Sequence, residues 1–250
     1  MRELLLAGRR RVREVLLARA TDGTGARHEP AHEVLGDIAE LAAQLRVPVR
    51  IVARGKLDAS ARTESHQGVL ARADPLPEAE LDELMGAGRG PSPFLVAVDG
   101  VTDPGNLGAL LRSAECAGVT GVVLPRHRAV HITPAVTKAA AGAVEYLPMA
   151  IVGGLPAALA RLAERGIWTI GLDASGGALD QIALAAEPVA LVVGAEGAGL
   201  SRLVRQRCDV VASLPLRGRI GSLNVAAAGA VACYEIALRR SGEGRSGSRP

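Results

Sequence analysis

A chain of 250 residues, 48% hydrophobic but only 2% aromatic, can hold one large domain or two modest ones around a core of Ala, Val, Leu and Ile. Its apolar runs are too short for a membrane span, its opening MRELLLAGRRRVREV is too charged for a secretory signal, and its three scattered cysteines form no CxxC pair, which excludes a disulfide framework and a zinc site and points to the cytoplasm. The net charge of +3 is modest, but the excess gathers at the two ends, a weak pointer to a polyanion such as nucleic acid.

Residues 1–75 carry 13 Lys/Arg against 10 Asp/Glu. The apolar spacing predicts a helix over 9–19, with Arg9, Arg10, Arg11 and Arg13 beside Val12, Val15, Leu16 and Leu17, and a second helix over 33–45. VPVRIVA (47–53) and GVLARA (68–73) read as strands, so a small α/β domain is expected over 1–75. Residues 76–92 are rich in Pro, Gly and acid and read as an interdomain linker with room for one helical turn. From 93 to 240 strands alternate with helices. The strands fall at 94–98, 121–124, 167–172, 189–193 and 210–213, and the helices at 106–117, 134–141, 154–165, 199–206 and 224–239. Strands such as PVALVVG are nearly unbroken apolar runs, the mark of a parallel sheet buried on both faces. The ending, 241–250, is rich in Gly, Ser and Arg and reads as a disordered basic tail.

Three loops that follow strands combine glycine with polar groups. DGVTDPGNLGALLR (99–112) collects a carboxylate, the Asn106 amide and the Arg112 guanidinium at the C-terminal end of a strand, where open α/β sheets bind ligands. Taken alone, a capped surface turn with a solvated Arg explains it as well. In ALVVGAEGAGLS (190–201) the glycines are spaced GxxGxG and Glu196 would repel a pyrophosphate. That argues against a dinucleotide-dependent dehydrogenase and admits a neutral or positive ligand, with a plain tight turn as the bland reading. LPLRGRIGSLNVA (214–226) is a basic loop, with Arg217 and Arg219, leading to Ser222 and Asn224 at the start of an Ala-rich helix. As helix caps, worth roughly 1 kcal/mol each, those two residues need no further role.

In this order the three motifs resemble those of the SpoU (TrmH-like) RNA 2′-O-ribose methyltransferases of the SPOUT superfamily. ITPAVTKAAAGAVEYLP (132–148) resembles the family's spacer. LAGRRRVREVL and HQGVLARA (66–73) are similar to the RNA-binding domain of members that methylate a guanosine ribose in large-subunit ribosomal RNA. The resemblance covers nearly the whole chain. It implies a parallel α/β sheet with a deep trefoil knot, S-adenosylmethionine bound bent in that knot, and a homodimer in which each cofactor site meets the other subunit. Carried over residue by residue, it assigns catalytic roles to Asn106, Arg112, Glu196, Ser222 and Asn224. Cofactor contacts fall to Leu172, Asp173, Gly194, Ala195, Glu196, Gly199, Leu214, Leu223 and Asn224, and RNA contacts are expected from Arg9, Arg10, Arg11 and Arg13. The family gives the counterpart of Arg112 the task of activating the ribose hydroxyl. An arginine stays protonated in proteins, so stabilising a developing alkoxide by charge is the more defensible form of that role. Two positions depart from the usual family Ser, namely Ala140 and Ala226. The leading substrate is ribosomal RNA; a tRNA ribose methyltransferase, a resistance-type ribosomal RNA methyltransferase and a non-catalytic RNA-binding relative are the alternatives.

Overall fold

The computed structural model describes residues 1–19, 30–61, 66–86, 92–127, 130–182 and 187–241. Residues 87–91 of the expected linker and 242–250 of the expected tail lie outside the described residues. The chain divides into two compact units, Met1–Pro77 and Glu78–Pro250.

In the first unit, α1 (Arg2–Ala7) stops at Gly8, whose φ of 61° places it in the left-handed region that suits glycine. The chain then forms β1 (Val12–Ala18) where the apolar spacing predicts a helix over 9–19. The reason is burial on both faces. Val15 and Leu17 pack with Leu5, Ile38 and Ala42, whereas Leu16 packs with Val52 and Leu57 on the other side. A strand covered by helices on both faces reads as a continuous apolar run, which spacing alone cannot separate from a helix. The covering elements are α1 and α2 (Pro30–Gln44) on one face and α3 (Arg54–Ser60) on the other. β1 is central, parallel to β2 (Val49–Val52) and antiparallel to β3 (Val69–Ala73).

The second unit begins with α4 (Leu81–Leu84), which buries Leu81 and Leu84, together with the following Met85, in the unit's core. These residues of the segment read as linker are therefore part of a folded domain: their three apolar side chains outweigh the acidic and Pro-rich surroundings. There follow β4 (Phe94–Val98), α5 (Pro104–Cys116), β5 (Gly121–Pro125), α6 (Pro134–Ala139), β6 (Met149–Val152), α7 (Leu155–Glu164), β7 (Trp168–Ala178), β8 (Val189–Val193), α8 (Arg202–Arg207), β9 (Val210–Ser213) and α9 (Val225–Arg240). β6 is an element the sequence pattern does not reveal; its four residues follow Pro148 without turn punctuation between strand and spacer. The six strands form one sheet in the order β6-β5-β4-β8-β7-β9, with every recorded pair parallel. β4, β5 and β8 are buried along their whole length, as continuous Val/Leu/Ala strands between two helix layers should be.

Parallel strands bring their C-terminal ends to one edge, and here Asp99, Gly194, Asp173 and Leu214 each follow a strand or leave its ladder at that edge. β7 is irregular there. Ile170 to Leu172 pair with Val210 to Ala212, and the pairing resumes only at Gly177 and Ala178, so residues 173–176 leave the ladder. A Cβ on Gly176 would lie 2.6 Å from the backbone of Val211 and Ala212, so this crossing of two backbones requires glycine. Both family departures, Ala140 and Ala226, are buried small residues.

Candidate active site

The first motif is shaped by its cap. Asp103 ends the turn after β4 and accepts the backbone N–H of Asn106 at 2.6 Å, with Pro104 opening the helix. Capping by Asp103 leaves the Asn106 side chain free for other partners. Asn106 Nδ2 donates to Glu196 Oε2 at 2.9 Å, and Asn106 Oδ1 accepts from Asn224 Nδ2 at 2.8 Å. Asn224 is itself the N-cap of α9, its Oδ1 accepting from the backbone of Ala226 (3.0 Å) and Ala227 (3.3 Å). Asn224 thus caps the helix with its amide oxygen and reaches Asn106 with its amide nitrogen. A single chain of hydrogen bonds joins residues 90 and 118 positions apart and ties the three motifs together. Each amide has its orientation set by its neighbours: α9 fixes Asn224, Asn224 fixes Asn106, and Asn106 presents its donor to the carboxylate.

The glycine loop is closed on itself. Ala195 N–H donates to Gly199 C=O at 3.0 Å and Gly199 N–H to Ala195 C=O at 2.9 Å. Gly197 and Gly199 hold φ values of 77° and 64°. Asp99, at the end of β4, accepts the Ser201 N–H at 2.7 Å and so anchors the far side of this loop.

Between the loop, the end of β7 and the segment after β9 lies a cavity of about 310 Å³. Leu172, Asp173, Gly194, Ala195, Glu196 and Gly199 line one side of it, and Leu214, Ser222 and Leu223 the other. Asn106 and Asn224 are not in the wall but are joined to it through Glu196. Arg112 is not in the wall either: it is exposed on α5 and has no hydrogen-bond or ion-pair partner among the described residues. Among the described residues, the ionisable side chains in the wall are Asp173 and Glu196, set among apolar and glycine surfaces. Two carboxylates among apolar and glycine surfaces suit a ligand that carries positive charge, as S-adenosylmethionine does at its sulfonium. Sequence reasoning missed Ser175 and Arg205, which hold Asp173 in place. Arg205 lies 32 residues away on α8 and looks like any surface arginine of RLVRQR.

The arginines expected to meet RNA are placed differently from one another. Arg13 pairs with Asp74 at 2.6 Å, and Arg10 donates to the Asp74 carbonyl at 3.1 Å. Arg9 has a buried Nη1 without a hydrogen-bond partner among the described residues, and Arg11 is exposed. Among the described residues no cluster of His, Cys, Asp or Glu could hold a metal ion, and no helix is long and apolar enough to cross a membrane.

Residues 93–234 match the model of the SpoU rRNA Methylase family, and residues 2–79 match that of RNA 2′-O ribose methyltransferase substrate binding. The 23S rRNA (guanosine-2′-O-)-methyltransferase RlmB of Pseudomonas aeruginosa is 41% identical over 236 residues, 93% of this chain and 90% of the relative. The RlmB of Ralstonia nicotianae is 44% identical over 190 residues, 74% and 75% of the two chains. Among solved structures, the SpoU methyltransferase AviRb from Streptomyces viridochromogenes in complex with AdoMet superposes with a TM-score of 0.73 at 25% identity, covering 96% of this chain and 87% of that one.

Proposed function

Since the chain belongs to the SpoU rRNA Methylase family, we propose that it transfers a methyl group from S-adenosylmethionine to the ribose 2′-hydroxyl of a guanosine in 23S ribosomal RNA, in the cytoplasm. The observation that carries this reading is the hydrogen-bond chain Asn224–Asn106–Glu196 beside a cavity whose charged groups are both acidic. The RlmB relatives of Pseudomonas aeruginosa and Ralstonia nicotianae, which match 93% and 74% of this chain, are named for that reaction. The cofactor, when bound, supplies an electrophilic methyl on a sulfonium. The chain's own residues do the rest. Leu172, Leu214 and Leu223 exclude water from the cavity, and the backbone of 194–199 shapes it. The amide chain holds Glu196 at one oxygen, leaving the other as an acceptor at the cavity. The Arg112 guanidinium steadies the alkoxide that develops as the hydroxyl loses its proton to water. The first unit binds the RNA, with Arg11 among its contacts.

Homodimerisation belongs to the same reading. Val231, Tyr234 and Leu238 form an exposed apolar stripe along α9, at 52%, 46% and 46% exposure, as a subunit interface would. The path of residues 173–176 and 214–224 past the 194–199 loop is where the reading puts the trefoil knot. The deciding experiment maps 2′-O-methylation across all stable RNAs in cells with and without the gene. Loss of one 23S guanosine methylation, restored by the wild-type gene and not by an Asn106→Ala copy, is the expected result. Loss from a tRNA, or from no RNA at all, would overturn the assignment.

A further inference from the structure

One face of the sheet in the first unit is apolar at one end and charged at the other. Glu14 stands opposite Arg72 and Leu16 opposite Leu70, while Arg50 stands beside Leu16 on β2. Side chains two apart on a strand share a face, so Glu14, Leu16, Arg50, Val52, Leu70 and Arg72 form one surface. The helix α3 covers the apolar end, where its Leu57 packs with Leu16 and Val52 and with Leu70 beside them. The charged end is open: the side chains of Arg50 and Arg72 are 71% and 65% exposed. Between them Glu14 is only 13% exposed. Arg72 Nη1 donates to Glu14 Oε1 at 2.8 Å, and Arg50 Nε pairs with Glu14 Oε2 at 3.3 Å. One sunken carboxylate thus gathers two guanidiniums and neutralises the charge of only one. α3 adds Arg54 and Lys56, exposed and without an ion-pair partner among the described residues, whereas its one acid, Asp58, lies 2.8 Å from His66.

Exposed ion pairs add little to stability, so the trio does not explain why half of this face is left open. Its chemistry suits an anion. The remaining guanidinium N–H groups of Arg50 and Arg72 donate to no other described residue, and a guanidinium edge matches two phosphate oxygens. The arginines expected from the sequence to meet RNA are less available, because Arg13 is paired with Asp74 and Arg10 donates to the Asp74 carbonyl. Building on the reading that the first unit binds the RNA, we propose that the open half of this face is where it does so. Arg50 and Arg72 hold the phosphate backbone, and Glu14 is the positioning residue that aims them. A nucleic-acid strand carries a charge at every nucleotide, which matches two neighbouring guanidiniums with the cations of α3 beside them. Such contacts fix the register of the RNA without reading its bases, so the choice of nucleotide lies elsewhere.

Equilibrium binding of the full chain to 23S ribosomal RNA purified from cells lacking the gene, over a salt series, tests this. Arg50→Gln and Arg72→Gln should each weaken binding roughly 3- to 10-fold and lower the slope of log affinity against log salt by about 1. KM for the RNA should rise by the same factor with kcat unchanged, and S-adenosylhomocysteine should bind as it does to wild type. Glu14→Gln separates aim from charge. It adds one positive charge, so bulk attraction alone would tighten binding, whereas guanidiniums released from their carboxylate should bind RNA roughly 2- to 5-fold more weakly. Arg2→Gln, on the helix α1 that packs on the opposite face, removes a charge elsewhere and should leave affinity within twofold. Both arginine variants within twofold of wild type, whatever their melting temperature, would make the trio a tie between strands and overturn the proposal alone. So would tighter binding by Glu14→Gln, or an Arg2→Gln loss equal to theirs. Wild-type protein that binds no 23S RNA would overturn the reading of the first unit and the proposal with it.

Discussion

Gly194 offers the sharpest test of how the cavity wall is built. It follows β8 and opens the loop that carries Glu196. In Gly194→Ala the new Cβ would stand 2.3 Å from the carbonyl carbon of Gly199, 2.4 Å from its oxygen and 2.6 Å from the Leu200 nitrogen. Ordinary contacts begin at 3.4 Å, so the facing backbone must retreat by about 1 Å. No rotamer can absorb that, because every clashing atom is main chain, held by the two Ala195–Gly199 hydrogen bonds. Overpacking costs about 1–3 kcal/mol and each backbone hydrogen bond lost about 1 kcal/mol, which totals roughly 3–5 kcal/mol. Gly177 supplies the control: nothing lies within 4 Å of a Cβ placed there, so Gly177→Ala should stay within about 0.5 kcal/mol of wild type. Urea unfolding reads the stability, and calorimetric titration with S-adenosylhomocysteine reads the cavity. If the loop yields locally, the cost appears as affinity, about a thousandfold at 4 kcal/mol. Gly194→Ala with wild-type unfolding midpoint and wild-type affinity would refute the closed-loop account of the wall.

Arg112→Ala should lower the methylation rate about 10²–10³-fold, the usual cost of one charge-stabilising donor, while S-adenosylhomocysteine binds as before; near-normal turnover would remove Arg112 from the mechanism. Arg11→Ala should weaken RNA binding and reduce the slope of log affinity against log salt by about 1, because this exposed arginine is free to meet phosphate, and an unchanged slope would exclude it from the contact. Burial pushes the Cys208 thiol up to about 11 and the Cys233 thiol up to about 12. Thiolate is therefore scarce at both below about pH 10, and native protein at pH 8 should take up one equivalent of iodoacetamide, at exposed Cys116. Two or three equivalents before unfolding would contradict the buried placement.

What the sequence discloses here follows from how local each signal is. The second unit reads well because unbroken strands such as VALVV, Asp103 before Pro104 and Asn224 before an Ala-rich run each carry their structure within a few residues. β1 reads wrongly because its apolar residues serve two cores at once, Val15 and Leu17 on one side and Leu16 on the other, and only the tertiary fold separates them. β6 and the burial of Leu81–Met85 are lost to composition amid Pro, Gly and acid, although α4 is the one helical turn that the segment has room for. In the site, residues of one motif can be named from spacing, but the contacts of Ser175 and Arg205 with Asp173 cannot. Ser175 is two residues away on β7, where its ladder breaks, and Arg205 is on α8, 32 residues further along the chain.

The first motif poses a geometric problem that its compact sequence conceals. At 100° per residue, six residues of α5 separate Asn106 and Arg112 by 600°, leaving them 120° apart around the helix, with Leu107, Leu110, Leu111 and Ala114 buried between other elements. Asn106 turns toward its own cavity and Arg112 toward solvent, so both cannot serve one cavity within one chain unless the RNA bridges them. In a homodimer the guanidinium can instead serve the partner's cavity, and mixed dimers distinguish the two arrangements. One chain carries Arg112→Ala with an intact cavity, and the other carries Gly194→Ala with an intact Arg112. If Arg112 acts across the interface, each mixed dimer holds one complete site, and mixing two inactive proteins restores up to half of the wild-type activity per mixed dimer. If Arg112 acts within its own chain, the only intact cavity lacks its arginine and the mixture stays inactive. Inactivity in mixtures shown by differential tags to contain the heterodimer would rule out the arrangement across the interface.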